Sequence, residues 1–342
     1  INWFTPTEIS GVKYSSISFR KISDKGLSNC SAQILPIGTV LMTTRASIGE
    51  LSILTKEAAT NQGFQSLISN SICNNEFLYY MMLSNKSDLI KNASGSTFLE
   101  ISPKKVKKIK IPFPPTLTEQ CAIATALSDV DELLTSLEQL ISKKQAIKNG
   151  AMQELLTPKD DWKTKTIKDI ATYRRGSFPQ PYGLSKWYDE ISGMPFVQVV
   201  DVAKNRRLKN ETKQKISIEG AKKSVFVKKG TVLLTIQGSI GRICITQYDA
   251  YVDRTLLIFD SFLEEFDKFF FMTVVHKKFE IEKEKAPGGI IKTITKEALS
   301  TFEISYPDIK EQKAIAQVLS DMDEEIKALE EKKVKYQKIK EG

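Results

Sequence analysis

A single histidine, His276, stands among 342 residues, and it sits between Val275 and Lys277 in a stretch with the apolar spacing of a core helix. A Ser-His-Asp triad could be built nowhere else, so that route to nucleophilic catalysis is closed. Cysteine is also scarce. Cys30, Cys73, Cys121 and Cys244 are scattered with no C-x-x-C pair, which argues against a zinc site or a disulfide framework and fits a reducing, cytoplasmic setting. No apolar run approaches the ~20 residues of a membrane span, and the chain has no charged-then-apolar secretory start. A Walker-type phosphate loop is missing. So are a glycine-rich cofactor turn and the Asn/Asp-Pro-Pro-aromatic motif of adenine methylation, because Phe113-Pro114-Pro115 lacks the polar first residue. Pro307-Asp308 with Glu311-Gln312-Lys313 resembles a nuclease PD-(D/E)xK pattern only superficially. Asp308 and Glu311 are too close in sequence for two strands to converge on a metal, and helix capping explains them better. With these chemistries gone, the chain reads as one that recognises and positions, with no metal and no cofactor of its own.

What the chain has in abundance is itself. Gly38-Thr39-Val40-Leu41 through Ser47-Ile48-Gly49 returns 192 residues later as Gly230-Thr231-Val232-Leu233 through Ser239-Ile240-Gly241. The same offset carries Glu119-Gln120-Cys121-Ala122-Ile123-Ala124 onto Glu311-Gln312-Lys313-Ala314-Ile315-Ala316, and Leu127-Ser128-Asp129-Val130-Asp131-Glu132 onto Leu319-Ser320-Asp321-Met322-Asp323-Glu324. A period this long marks a duplicated domain plus connector, not a solenoid. Asn2 to Ile9 reads against Pro195 to Val202, while the second copy has further sequence from Asp161 onward. The first copy is therefore expected to lack its opening segment.

Four segments follow: a first α+β domain (1–115), a helical spacer (116–157), a second α+β domain (158–307) and a second helical spacer (308–342). The formal charge of +9 divides unevenly, with +6 on residues 1–115 and +7 on 158–307, whereas the two spacers together carry −4. Positive charge on the domains and not on the connectors is the footprint of two nucleic-acid-binding modules. Each spacer opens on a capping signal after proline, Thr116 with Glu119 and Asp308 with Glu311. Ile123, Leu127, Val130, Leu134, Leu137 and Ile141 then recur with 4-3 spacing, as do Ile315, Leu319, Met322, Ile326 and Leu329. Two such seams in one chain pack most economically against each other as a coiled coil, the competing reading being that each helix lies on its own globular domain. Leu133, Leu140 and Ile147 widen the first stripe and are candidate partner-binding residues.

The duplicated helix entries, Phe113-Pro114-Pro115 to Glu119-Gln120 and Tyr306-Pro307 to Glu311-Gln312, each run on into Ala-Ile-Ala and Leu-Ser-Asp. With the tail Ile147 to Leu156, they resemble the specificity subunit of type I restriction and modification systems. That resemblance implies a pseudo-twofold, non-catalytic subunit, its two α+β domains separated by an antiparallel coiled coil, that reads a bipartite double-stranded DNA target, one half-site per domain. It also implies two methyltransferase subunits docked on the helices, which bring S-adenosylmethionine, with restriction and translocase subunits completing the complex. A standalone DNA-bridging or repressor-like protein that self-dimerises through its coiled coil is the alternative, and a protein-only scaffold is a third class.

Base readout needs side chains that make paired hydrogen bonds, while lysines and small hydroxyls suffice for phosphates. In the first domain the candidates are Arg20, Lys21, Thr44, Arg45, Ser47, Asn61, Gln62, Ser96 and Thr97. In the second they are Arg174, Arg175, Lys204, Arg206, Arg207, Gln237, Ser239, Asp253, Arg254 and Lys292. The competing reading is that Asn61 and Asp253 cap turns and that the arginines are solvated. Lys104, Lys105, Lys107, Lys108 and Lys110 either follow a DNA backbone or defend an exposed strand edge.

Overall fold

The computed structural model describes residues 1–341 except 46, 96–98, 204, 286–293 and 295–298. The chain forms two compact units, Ile1–Glu138 with Lys333–Gly342, and Gln139–Lys332. These units cut through both long helices, Leu117–Leu155 and Ile309–Glu341, where the sequence boundaries follow the helix ends.

In unit 1 the strand Val40–Thr43 is buried along its whole length. Alternate side chains on a strand point to opposite faces, so Val40 and Met42 pack on the helix Asn75–Ser84 and on Ala124 of the long helix, while Leu41 packs against Phe4, Ile9 and Ala58. One strand thus serves two cores. It lies between Leu51–Leu54 and Phe64–Leu67 in an antiparallel ladder, with Tyr14–Ser15 added parallel at the edge. A smaller sheet places Asn2–Phe4 between Arg20–Lys21 and Ala58–Thr60.

Unit 2 repeats this plan. Val232–Thr235 is buried throughout, with Val232 and Leu234 against Phe270, Phe271 and Leu319 and with Leu233 against Val197, Ala250 and Val252. Met194–Val197 lies parallel to Ala250–Val252, as Asn2–Phe4 does to Ala58–Thr60. Unit 2 adds two pairings: Ala171–Arg175 beside Leu256–Phe262, and Lys163–Thr166 against Glu303–Tyr306. Residues 109–114, the counterpart of Glu303–Tyr306, form no strand.

The apolar stretch from Phe77 to Leu89 forms two helices, Asn75–Ser84 and Lys86–Asn92, because Asn85 caps the first with its side chain on the Met81 carbonyl. The lysine run corrects the strand-edge reading: Pro103–Val106 is a short helix and Lys107 and Lys108 follow in a turn, so these lysines guard no edge.

Candidate nucleic-acid interface

The recurring Thr-x-x-x-Ser-Ile-Gly segments close as the same turn. The Thr43 hydroxyl donates to the Ser47 carbonyl and accepts from Glu50 N–H at 3.0 Å. Thr235 donates to the Ser239 carbonyl at 2.5 Å and accepts from Arg242 N–H at 2.9 Å. Gly49 and Gly241 end these turns at φ of 81° and 83°, the left-handed region where a side chain is strained. Between the buried threonine and the glycine, the turn offers Arg45 and Ser47 in unit 1, and Gln237 and Ser239 in unit 2, all exposed to solvent.

In unit 1 Arg45 is ion-paired through Nε to Glu100 Oε1 at 2.9 Å, both side chains half-exposed. Gln62 is exposed, while the half-buried Asn61 accepts from Gly63 N–H at 2.9 Å and so caps its turn. Thr44 is buried and its hydroxyl donates to the Gly63 carbonyl at 3.2 Å, so it serves the fold. Arg20 and Lys21 are exposed on the edge of the smaller sheet, with Lys21 Nζ donating to Asn2 Oδ1 at 2.8 Å.

In unit 2 the structure gathers Arg174, Arg175 and Arg254 at one end of the sheet. Arg175 Nε donates to the Arg254 carbonyl at 2.5 Å, Arg174 Nε meets both oxygens of Asp260 at 3.0 Å, and Arg254 lies 5.6 Å from the centre of the exposed Tyr182 ring. Tyr182 carried no signal in the sequence beyond its aromatic type. Asp253 is only 3% exposed, and its Oδ1 accepts from Thr255 N–H and Oγ1. Turn capping, the competing reading, accounts for Oδ1, while Oδ2 is buried without a hydrogen-bond partner among the described residues.

Arg206 and Arg207 leave this group. Arg206 donates to Thr273 Oγ1 at 2.8 Å and to Asp323 on the second long helix, and Arg207 approaches Glu324 at 3.9 Å. Both side chains are thus directed at the helix. Ser96, Thr97, Lys204 and Lys292 lie outside the described residues.

Two further sets of residues hold the domains onto the helices. Gln120 is fully buried: its Nε2 donates to the carbonyls of Ile72 and Pro114, both at 3.0 Å, and its Oε1 accepts from Asn74 N–H at 2.8 Å. Gln312 makes the same three bonds, to Glu265, Pro307 and Asp267. The second set centres on Asp131, which accepts from Tyr80 and Lys340, and on Asp323, which accepts from Arg206 and Lys148. Repetition of these polar residues inside an otherwise apolar seam was the sequence signal for both.

Helix entry follows the capping signals. Thr116 Oγ1 accepts from Glu119 N–H, and Asp308 Oδ1 accepts from Lys310 and Glu311 N–H, which holds the Asp308 carboxyl below its usual range. Ion pairs then join the helices inside each unit: Lys333 with Glu138 at 2.8 Å and Lys340 with Asp131 at 2.5 Å in unit 1, and Lys144 with Glu325 at 2.7 Å and Lys148 with Asp323 in unit 2. Leu140 and Ile147 are exposed and Leu133 is half-buried. Among the described residues no cluster of His, Cys, Asp and Glu could hold a metal ion, and no helix is long and apolar enough to cross a membrane.

Two α+β units of target-recognition type, each built onto long helices, define the class as a DNA-specificity fold. The family model of the type I restriction modification DNA specificity domain matches residues 1–149 and 159–339, and the chain belongs to that family. It is 32% identical over 230 residues to the type I restriction enzyme MjaIX specificity subunit of Methanocaldococcus jannaschii, covering 60% of this chain and 52% of that protein. The EcoBI specificity subunit of Escherichia coli is 30% identical over 210 residues, 53% of this chain and 43% of that protein. The chain thus spans about half the length of these two relatives. The crystal structure of the S subunit from M. genitalium superposes with a TM-score of 0.64 at 15% identity, over 99% of this chain and 90% of that one, a likeness of fold.

Proposed function

We propose that this chain is the non-catalytic DNA-recognition subunit of a type I restriction and modification complex, each unit reading one half of a bipartite double-stranded target. The observation that carries this reading is the same solvent-exposed polar turn in both units, Arg45 with Ser47 and Gln237 with Ser239, on domains that hold the positive charge of the chain. Each unit should neutralise several phosphates, so affinity of the full chain with its methyltransferase should fall with salt at a log–log slope of roughly −0.9 per phosphate. A salt-independent affinity, or no binding to any duplex, sinks the reading.

The helices would form an antiparallel coiled coil about a pseudo-twofold axis. Support comes from the ion pairs, in which a rising residue number on one helix meets a falling number on the other. With 39 residues, the first helix is ~58 Å long at 1.5 Å per residue, enough to act as a ruler between half-sites. The row of half-buried Leu133 and exposed Leu140 and Ile147 would dock methyltransferase subunits, which bring S-adenosylmethionine, with restriction and translocase subunits joining the complex. This row also favours a hetero-complex over the self-dimerising DNA-bridging alternative. Replacing Leu133 and Leu140 by Glu should abolish methyltransferase pull-down while the chain keeps its melting temperature, since charges at a desolvated interface cost a few kcal/mol each. Undiminished capture would place the docking surface elsewhere.

A further inference from the structure

The ladder that carries the exposed turns has the same register in both units and runs one step past its last named pair. In unit 1 the partners descend from Val40↔Leu67 to Thr43↔Phe64, and Thr44 N–H then donates to the Gly63 carbonyl at 2.9 Å. The ladder ends there, because the Thr44 carbonyl accepts from Ile101 N–H at 3.1 Å and Arg45 pairs with Glu100, which leaves Gln62, one residue before Gly63, in the turn that leads into Phe64–Leu67. In unit 2 the partners run from Val232↔Phe259 to Thr235↔Leu256, followed by Ile236 N–H to the Thr255 carbonyl at 3.0 Å. The corresponding positions there are Gln237 and Arg254. Arg45 and Gln237 follow the buried Thr44 and Ile236, while Gln62 and Arg254 stand at equivalent places in the turns that lead into Phe64–Leu67 and Leu256–Phe262. All four residues are exposed. The two units therefore present one exposed arginine and one exposed glutamine at the same two positions of the repeat, in exchanged order.

Both arginines are braced. Arg45 is held through Nε by Glu100, and Arg254 lies over the Tyr182 ring, so neither has to be ordered wholly at the moment of binding. Arginine forks onto the O6 and N7 of guanine, and glutamine onto the N6 and N7 of adenine. Resting on the DNA-recognition reading above, we propose that these two exposed positions are specificity determinants, one guanine and one adjacent adenine being read in each half-site, with the roles of the two positions exchanged between the units.

The test is selection from a random duplex library by the chain in complex with its methyltransferase, with sequencing of the bound DNA. Arg45→Gln should convert one guanine of one half-site to adenine, Gln62→Arg should convert a neighbouring adenine to guanine, and the double variant should exchange the order of the two bases. Each shift should be roughly tenfold or more in base preference, the range expected of a lost or gained bidentate contact. The other half-site should not change. Gln237→Arg and Arg254→Gln should act in the same way on that other half-site alone, so a folding defect in one unit, seen as a lowered melting temperature, still leaves the second to decide. If the wild type selects a bipartite site and the folded variants all retain it, or lose selectivity evenly across every position, the exchange is wrong and the DNA-recognition reading stands. If the wild type selects no sequence, both fall.

Discussion

The two units hold their globular parts on the helices by the same four positions, two filled with different side chains and two with the same. In unit 1 Lys13 donates to Ser128 Oγ at 3.0 Å and to the Tyr80 hydroxyl at 3.1 Å; Tyr80 passes the contact on to Asp131 at 2.8 Å, and Lys340 closes on the same carboxylate. In unit 2 Arg206 touches Thr273 and reaches Asp323 directly, and Lys148 closes on Asp323. The positions correspond by register, since Tyr14 pairs parallel with Ile53 and Arg207 with Ile245. A shorter cation with a long phenol has been traded for a longer cation with a short hydroxyl. The carboxylate and the closing lysine stay constant, so the fold preserves where the charges meet and not which side chains carry them. Burial pushes the Tyr80 hydroxyl up to about 12, helped by Asp131. Burial opposes the charge on Lys13, but its bonds to Glu76 and Tyr80 outweigh this and raise its pKa. Arg206 adopts φ of 62°, a conformation that costs a non-glycine residue about 1–2 kcal/mol, so its ionic contacts are formed against backbone strain.

If the correspondence is sound, the largest losses come from the buried glutamines, and they are equal. Gln120→Leu and Gln312→Leu each strand three backbone groups and should cost about 3 kcal/mol in urea-induced unfolding of the affected unit. A difference above about 1 kcal/mol between them would break the equivalence. Asp323→Asn should come next, at about 2 kcal/mol, because Arg206 and Lys148 both lose their anion in a partly buried place, discounted for residual exposure. Asp131→Asn should cost about 1 kcal/mol, since an amide oxygen still accepts from Tyr80 and Lys13 keeps Glu76. Losses in the reverse order would mean that the phenol is the essential member.

The smallest effect separates the units by pH. His276, in unit 2, has its pKa lowered from 6.5, by burial first and then by the neighbouring charges of Arg206 and Lys148. A folded-state pKa below the unfolded one means that the unfolded chain binds the proton more readily, so this contribution to stability is complete above pH 6.5 and is shed as pH falls below it. Unit 2 should lose melting temperature between pH 7.5 and 5.5 more than unit 1 does, and His276→Gln should flatten that difference. An unaltered profile in the variant would assign the loss to the carboxylates.

The repeat made the paired turns legible, because Gly49 and Gly241 are demanded by backbone conformation and Thr43 and Thr235 by the bonds that close the turn. Helix entry was legible too, since capping is local chemistry at Thr116 and Asp308. What the sequence concealed were roles that depend on distant partners. Nothing in one dimension tells an arginine aimed at solvent, such as Arg45, from one aimed at a helix, such as Arg206. Thr44 and Asp253 have polar side chains suited to an interface, yet strand alternation and a turn carry them inward. Gln120 was plain in the repeated motif, but its purpose appears only when Ile72, Asn74 and Pro114 converge on it.

The division of each long helix between two units also bears on how the chain is made. Asp131 and its closing lysine are 209 residues apart. At about 5–20 residues per second, roughly 10–40 s of synthesis separate them. The N-terminal half therefore emerges from the ribosome with an unfinished carboxylate site and an uncovered helix, and it stays so while the whole of unit 2 is translated. Completion of the first unit waits for residues 333–342, and a chain stalled before they are made is left with its earlier half unsealed.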